Sequence, residues 1–193
     1  MRPFTGASAM TVSMDDHEGL RQAFRFCPRC ATAAPRIKRD RELQCPHCGL
    51  RFFFNTAAAA GAFVFVGSQL LLCVRAHEPG KGLLDVPGGF IEFDETVEEG
   101  LRREIAEELS IEVSGLRYLM SAPNDYRYAG IPYKTADLFF LCEAVNGEGW
   151  RAADDVAEVL LIDPSQVNPD QFAFASTRRA FKTLLETLKT GVS

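Results

Sequence analysis

No stretch of the chain approaches the roughly eighteen consecutive apolar residues that a membrane-spanning helix requires. This excludes a helical membrane protein. The first twenty residues contain Arg2 but no continuous apolar run, so they do not read as a secretory signal. Residues 1–20 are expected to be a flexible N-terminal tail, with Met10 and Met14 as further candidate starts. Internal repeats and low-complexity tracts are also missing, which excludes solenoids and linkers as the main architecture. What remains is ordinary for a globular protein: 193 residues, 47% apolar and 24% charged. That length suits one sizeable core with room for a small module.

The net charge of −5 hides an asymmetry. Residues 21–51 carry Arg21, Arg25, Arg29, Arg36, Lys38, Arg39, Arg41 and Arg51 against Asp40 and Glu42, while residues 52–193 carry 12 basic and 21 acidic side chains. The basic piece also holds four of the six cysteines, as Cys27-Pro-Arg-Cys30 and Cys45-Pro-His-Cys48. Each CxxC turn presents two thiolates on one side of a tight loop, and two such turns complete the sulfur cage that zinc prefers. A disulfide pair or a redox motif fits less well, since no secretory context accompanies the cysteines and a redox site needs no second copy. With four cysteine ligands no position stays open for chemistry, so the zinc is structural and His47 fills the knuckle. No recognition helix or aromatic platform is evident beside the positive charge, which is therefore read as softening the thiolate charge. Nucleic acid is accordingly not expected as a partner.

Cys73 and Cys142 sit in the apolar runs LLLCVR and LFFLCE and read as small core residues. Residues 57–61, AAAAG, read as a hinge that closes a ribbon module at 21–56 and opens a main domain at 57–193. Strands are predicted at 62–66 and 70–75 with Gly67 and Ser68 as their turn, then at 111–118, 135–143 and 156–162. A final helix is predicted over 176–189, with Ala180, Phe181, Leu184, Leu185 and Leu188 on its core face and Gly191 beyond its end. The mixture suggests an α/β sandwich around a mixed sheet.

A further helix begins near Thr96, which has capping-box spacing to Glu99, and Val97, Leu101, Ile105 and Leu109 form its buried stripe. Glu104, Glu107 and Glu108 stand at i, i+3 and i+4, where like charges repel. A solvated acidic face would account for three glutamates. So would a hard divalent ion, and magnesium suits a few carboxylates completed by water and phosphate.

The order Gly89, Glu95, Arg103-Glu104-Ile105 and Glu107-Glu108, with Pro87-Gly88 ahead of it, resembles the signature of the Nudix hydrolases. Ser110 stands where that family usually has a glycine, at a helix exit that serine adopts at some cost. The resemblance implies the Nudix α/β/α sandwich and hydrolysis of a diphosphate linkage in a nucleoside diphosphate derivative. It further implies catalytic Mg²⁺ or Mn²⁺ held by Glu104, Glu107, Glu108 and the carbonyl of Gly88. Arg103 would orient the carboxylates, and Glu95 would support the helix. Glu148, Asp154 and Asp155 are candidates for a general base.

A zinc ribbon ahead of such a domain resembles the NADH pyrophosphatases, although of the Pro- and Trp-rich stretch after their signature only Ser121 and Pro123 match here. This stretch reads as a loop, in which Tyr126, Tyr128 and Tyr133 are interleaved with Arg127 and Lys134. Arg75, Tyr126, Arg127 and Tyr128 are the candidate substrate contacts, able to stack on a base or meet phosphate. The resemblance implies a small-molecule nucleotide substrate of the ADP-ribose, NADH or FAD type, with a homodimer as a family-level expectation. The alternatives are a ligand-binding or RNA-interacting regulator, or a hydrolase of RNA ends. Thiolates free for zinc point to a cytoplasmic location.

Overall fold

In the computed structural model, which describes residues 16–39, 41–129, 131–145, 149–153 and 155–190, the apolar runs of the sequence become strands covered on both faces. The chain divides into two units. One holds the described residues up to Asn55 with those of Ala129–Pro132, and the other holds Thr56–Tyr128 with the described residues from Tyr133 onward.

The first unit contains helix α1 (Asp16–Ala23) and strands β1 (Arg36–Lys38), β2 (Glu42–Gln44) and β3 (Arg51–Phe53). The strands form an antiparallel sheet in the order β1-β2-β3 around the fully buried Leu43. Residues 16–20, expected in the tail, instead belong to α1, because Leu20 is buried and gives the helix an apolar anchor. Residues 1–15 of that tail lie outside the described residues.

The second unit runs through β4 (Ala57–Val66), β5 (Gln69–Arg75), β6 (Leu84–Asp85), β7 (Gly88–Phe90), α2 (Val97–Leu109), β8 (Val113–Tyr128), β9 (Ile131–Ala144, from Tyr133 onward in this unit), β10 (Val156–Ile162) and α3 (Ala175–Thr190). Its sheet has the order β10-β5-β4-β9-β8, with β6 paired to β5 and β7 to β4. β4 and β9 run parallel while β5 is antiparallel to both of its neighbours β4 and β10, so the sheet is mixed.

Strand alternation divides the core in two. Ala62, Val64, Leu71, Cys73, Phe140 and Cys142 pack with Leu101, Ile105 and Leu109 of α2. Phe63, Leu70, Leu72, Phe139 and Leu141 pack with Ala180, Phe181 and Leu184 of α3. Strands buried on both faces read as unbroken apolar runs, which is why period-two patterning is weak here. Among the described residues no helix is long and apolar enough to cross a membrane.

Three local expectations need correction. The AAAAG segment is the first half of β4 and not a hinge: Ala59, Ala60 and Gly61 pair with Phe90, Gly89 and Gly88 of β7, and the same residues pair with β9. Much of the tyrosine-bearing stretch lies in β8 and β9 and not in a loop. Leu188, assigned to the core face of α3, is 49% exposed, because the packed stripe ends with Leu184 and the partly buried Leu185. Gly191 lies outside the described residues.

Candidate active site

Helix α2 starts as its capping signals require. The Thr96 hydroxyl accepts from the Glu99 amide, and the Glu99 carboxylate accepts from the Thr96 amide at 2.8 Å. Ser110 closes the helix at φ 57° and ψ 33°, a left-handed conformation rare for serine. Between these ends the buried stripe fixes the rotation of α2. Glu104, Glu107 and Glu108 are thereby presented to a cavity of about 350 Å³ that is also lined by Gly88 and Gly89.

Two glycines let β7 lie close to both its neighbours, strand β4 and helix α2. Gly88 has φ +142°, and a Cβ there would lie 2.1 Å from the Ala60 carbonyl oxygen. A Cβ on Gly89 would lie 2.5 Å from the carboxyl carbon of Glu104. The Gly88 amide donates to Glu108 Oε2 at 2.9 Å. Burial nevertheless pushes the Glu108 carboxyl up to about 8, against the lowering by that amide and with help from the charges of Glu104, Asp85 and Asp155.

Arg103 holds the glutamates in place. Its guanidinium donates to Glu95 at 2.8 and 3.1 Å, to Glu104 Oε1 at 2.9 Å, to Glu107 Oε2 at 3.2 Å and to the Phe90 carbonyl at 3.2 Å. Glu95 also accepts from the Glu92 amide at 2.7 Å, and Arg103 with that amide holds its carboxyl below the usual range. Arg103 thus holds Glu104 and Glu107, while the Gly88 amide holds Glu108. Among the described residues the four ribbon thiols form the one cluster suited to hold a metal, with their sulfurs all within 4.8 Å of one another.

Those thiols have the right spacing for a tetrahedral metal. Cys27 and Cys48 sulfurs lie 3.7 Å apart and Cys30 and Cys45 sulfurs 3.6 Å apart, and a tetrahedral zinc–sulfur shell with bonds of about 2.3 Å has edges of about 3.8 Å. Hydrogen bonding with Thr32 draws the Cys30 thiol down to about 6, while burial and the neighbouring thiols overcome the Leu50 amide and raise Cys48 to about 11. Cys73 and Cys142 are buried in the core, where burial raises both thiols.

Arg75 lines the cavity, paired with Asp85 at 3.0 Å and seated 4.9 Å from the centre of the Phe174 ring. Tyr126 lines it too, 5.5 Å from Phe90 and 5.8 Å from Phe174. Arg127 and Tyr128 are not part of the lining: alternation turns Arg127 to the other face of β8, and Tyr128 lies one pleat further along, 62% exposed. Asp155 is in the lining, whereas Glu148 and Asp154 lie outside the described residues.

Several lining residues escaped the sequence reading. Phe90 and Phe174 complete an aromatic wall with Tyr126. Asp137, buried on β9, accepts from the hydroxyls of Thr135 and Ser176 at 2.6 Å each. Asp85 accepts from Arg75 and from Thr177, and burial raises its carboxyl. The acidic residues stand singly in apolar strands, which was the available signal; the aromatic wall has no local signal.

The NUDIX domain family matches residues 55–184, and the NADH pyrophosphatase zinc ribbon domain matches residues 22–53. An NAD-capped RNA hydrolase NudC from Pseudomonas aeruginosa is 34% identical over 134 residues, covering 69% of this chain and 46% of that one. A protein of the same name from Deinococcus radiodurans is 25% identical over 187 residues, covering 95% of this chain and 64% of its own. The chain thus spans less than two thirds of the length of these curated relatives. A NUDIX hydrolase crystal structure from Nitrosomonas europaea shares the fold, with TM-score 0.68, 24% identity, and coverage of 86% of this chain and 93% of that one. The relatives are named for hydrolysis of NAD-capped RNA, which overturns the expectation that nucleic acid is not a partner.

Proposed function

The chain belongs to the NUDIX domain family, and on that premise we propose that it hydrolyses the diphosphate linkage of a nucleoside diphosphate derivative, with NAD-capped RNA ends as its substrate. The observation that carries this reading is the shared cavity. The carboxylate face of α2 and an aromatic wall of Phe90, Tyr126 and Phe174 line the same space. A diphosphate needs cations, and a nucleobase or nicotinamide ring needs a stacking surface.

The residues fit a hard divalent ion. Glu108 is buried beside the charges of Glu104 and Asp85, so a bound cation would offset a repulsion that burial makes worse. Glu104, Glu107, Glu108 and the Gly88 carbonyl would hold Mg²⁺ or Mn²⁺. When bound, the ion polarises the phosphorus-bound oxygens and lowers the pKa of the attacking water. Arg103 keeps Glu104 and Glu107 oriented, and Gly88 keeps Glu108 turned toward β7. Arg75 and Tyr126 are the substrate contacts of this reading. Zinc is the natural occupant of the four ribbon thiols and stabilises that module.

ADP-ribose, NADH and FAD contain the same linkage, and the resemblance to the NADH pyrophosphatases points to them first. The relatives' names favour the RNA-end alternative instead. The test compares kcat/KM for NAD-capped RNA, NADH, ADP-ribose and FAD with Mg²⁺ present or chelated. Capped RNA should be preferred, and chelation should stop turnover of every substrate. Preference for ADP-ribose would overturn the substrate; no turnover at all would overturn the activity.

A further inference from the structure

The first unit has a concave surface of its own, with the opposite charge. A groove of about 690 Å³ is lined only by residues between Arg21 and Lys38, and no acidic side chain is among them. Arg21, Arg25, Arg36 and Lys38 supply four exposed cations. Arg36 and Lys38 flank Ile37 on β1, so alternation puts both on one face.

Aromatic rings accompany these charges. Phe24 and Phe26 line the groove, and Phe26 is 58% exposed beside Arg25. The sequence alone offered no aromatic platform here, because only the fold brings these rings to the basic surface. The metal knuckle fixes their backbone: Phe26 bridges to Ala33, the Cys27 amide donates to the Thr32 carbonyl at 2.9 Å, and the Ala34 amide donates to the Arg25 carbonyl at 2.8 Å.

We infer that this groove binds single-stranded RNA, the chain that carries the capped end. The inference rests on the substrate reading above. Cations that track a phosphate backbone, with an exposed ring on which an unpaired base can stack, are the combination that single strands require. A duplex offers the phosphates but hides the base faces. An acidic peptide offers charge but no planar ring.

The test is fluorescence anisotropy of a labelled, uncapped single-stranded RNA of about twelve nucleotides, using the full chain with zinc retained and no added Mg²⁺. Binding is thereby read without hydrolysis, so failure of the substrate reading would not mask it. The R25S/R36S/K38S variant should bind at least about tenfold more weakly, with a salt slope shallower by about 2. F26A should weaken binding on the order of tenfold. Both variants should keep wild-type zinc content and wild-type hydrolysis of free ADP-ribose or NADH. Unchanged RNA affinity in the triple variant would overturn the proposal. So would equal affinity for the duplex of the same sequence, or for polyglutamate.

Discussion

The amide of Gly88 donates to Oε2 of Glu108 over 2.9 Å, tying β7 to the last turns of α2 across twenty residues of chain. That contact exists because residue 88 has no side chain to strike the Ala60 carbonyl. It turns the most buried of the three helix glutamates toward the cavity, yet one amide does not offset the loss of water around a carboxylate.

The first prediction follows from that imbalance. Glu108 has a folded pKa of about 8 against an ordinary 4.5, so its protonated form is favoured in the folded chain. Its destabilising effect is absent below the ordinary value and grows as pH rises toward about 8. In chelator, the Tm of the wild type minus that of E108Q should therefore fall between about pH 5 and pH 8. Added Mg²⁺ should reduce the fall. A difference independent of pH would contradict the burial of a charge at this position.

Gly89→Ala tests how closely the helix and β7 must approach. The new Cβ would meet the Glu104 carboxyl at 2.5 Å and displace it from its bond with Arg103. Turnover should drop on the order of a hundredfold, since misplacement by about 1 Å costs that much. The fold should remain, as judged by circular dichroism. Wild-type kcat would remove Glu104 from the catalytic set.

Ser110→Gly should act in the opposite direction on stability. Serine at φ 57° pays for a left-handed conformation that glycine adopts freely, so denaturant unfolding should show a gain of about 1 kcal/mol. Unchanged or lower stability would mean that the exposed Ser110 is held by something the helix exit does not reveal.

Local rules made α2 legible: its cap at Thr96, its stripe of Leu101, Ile105 and Leu109, and the glutamates that the stripe turns to the cavity. The ribbon knuckles were legible for the same reason, since each CxxC is a self-contained turn. What local rules could not supply was partnership. Four alanines have little strand preference, and Ala57–Ala60 become a strand because β9 pairs with all four and β7 with Ala59 and Ala60. Phe90 of β7, Tyr126 of β8 and Phe174 just ahead of α3 are far apart in the chain, and only the fold brings the two phenylalanine rings within 6 Å of Tyr126. Phe26 reads as one apolar residue in the sequence and becomes an exposed ring beside Arg25 in the fold.

Replacing Cys27 and Cys30 with serine removes half of the thiol cage. Zinc content should fall, and amide exchange should rise through residues 21–54 while the strands β4 to β10 keep their protection, because metal binding in such a module is coupled to its folding. Full zinc content in this variant would refute the four-thiol site.

The most direct test of the account is mass analysis of the products when a NAD-capped RNA meets the full chain in Mg²⁺. Cleavage of the diphosphate linkage should release nicotinamide mononucleotide and leave RNA with a 5′-monophosphate, and both products should vanish with chelator or in E108Q. An intact cap under these conditions, or the same products from E108Q at the wild-type rate, would contradict it.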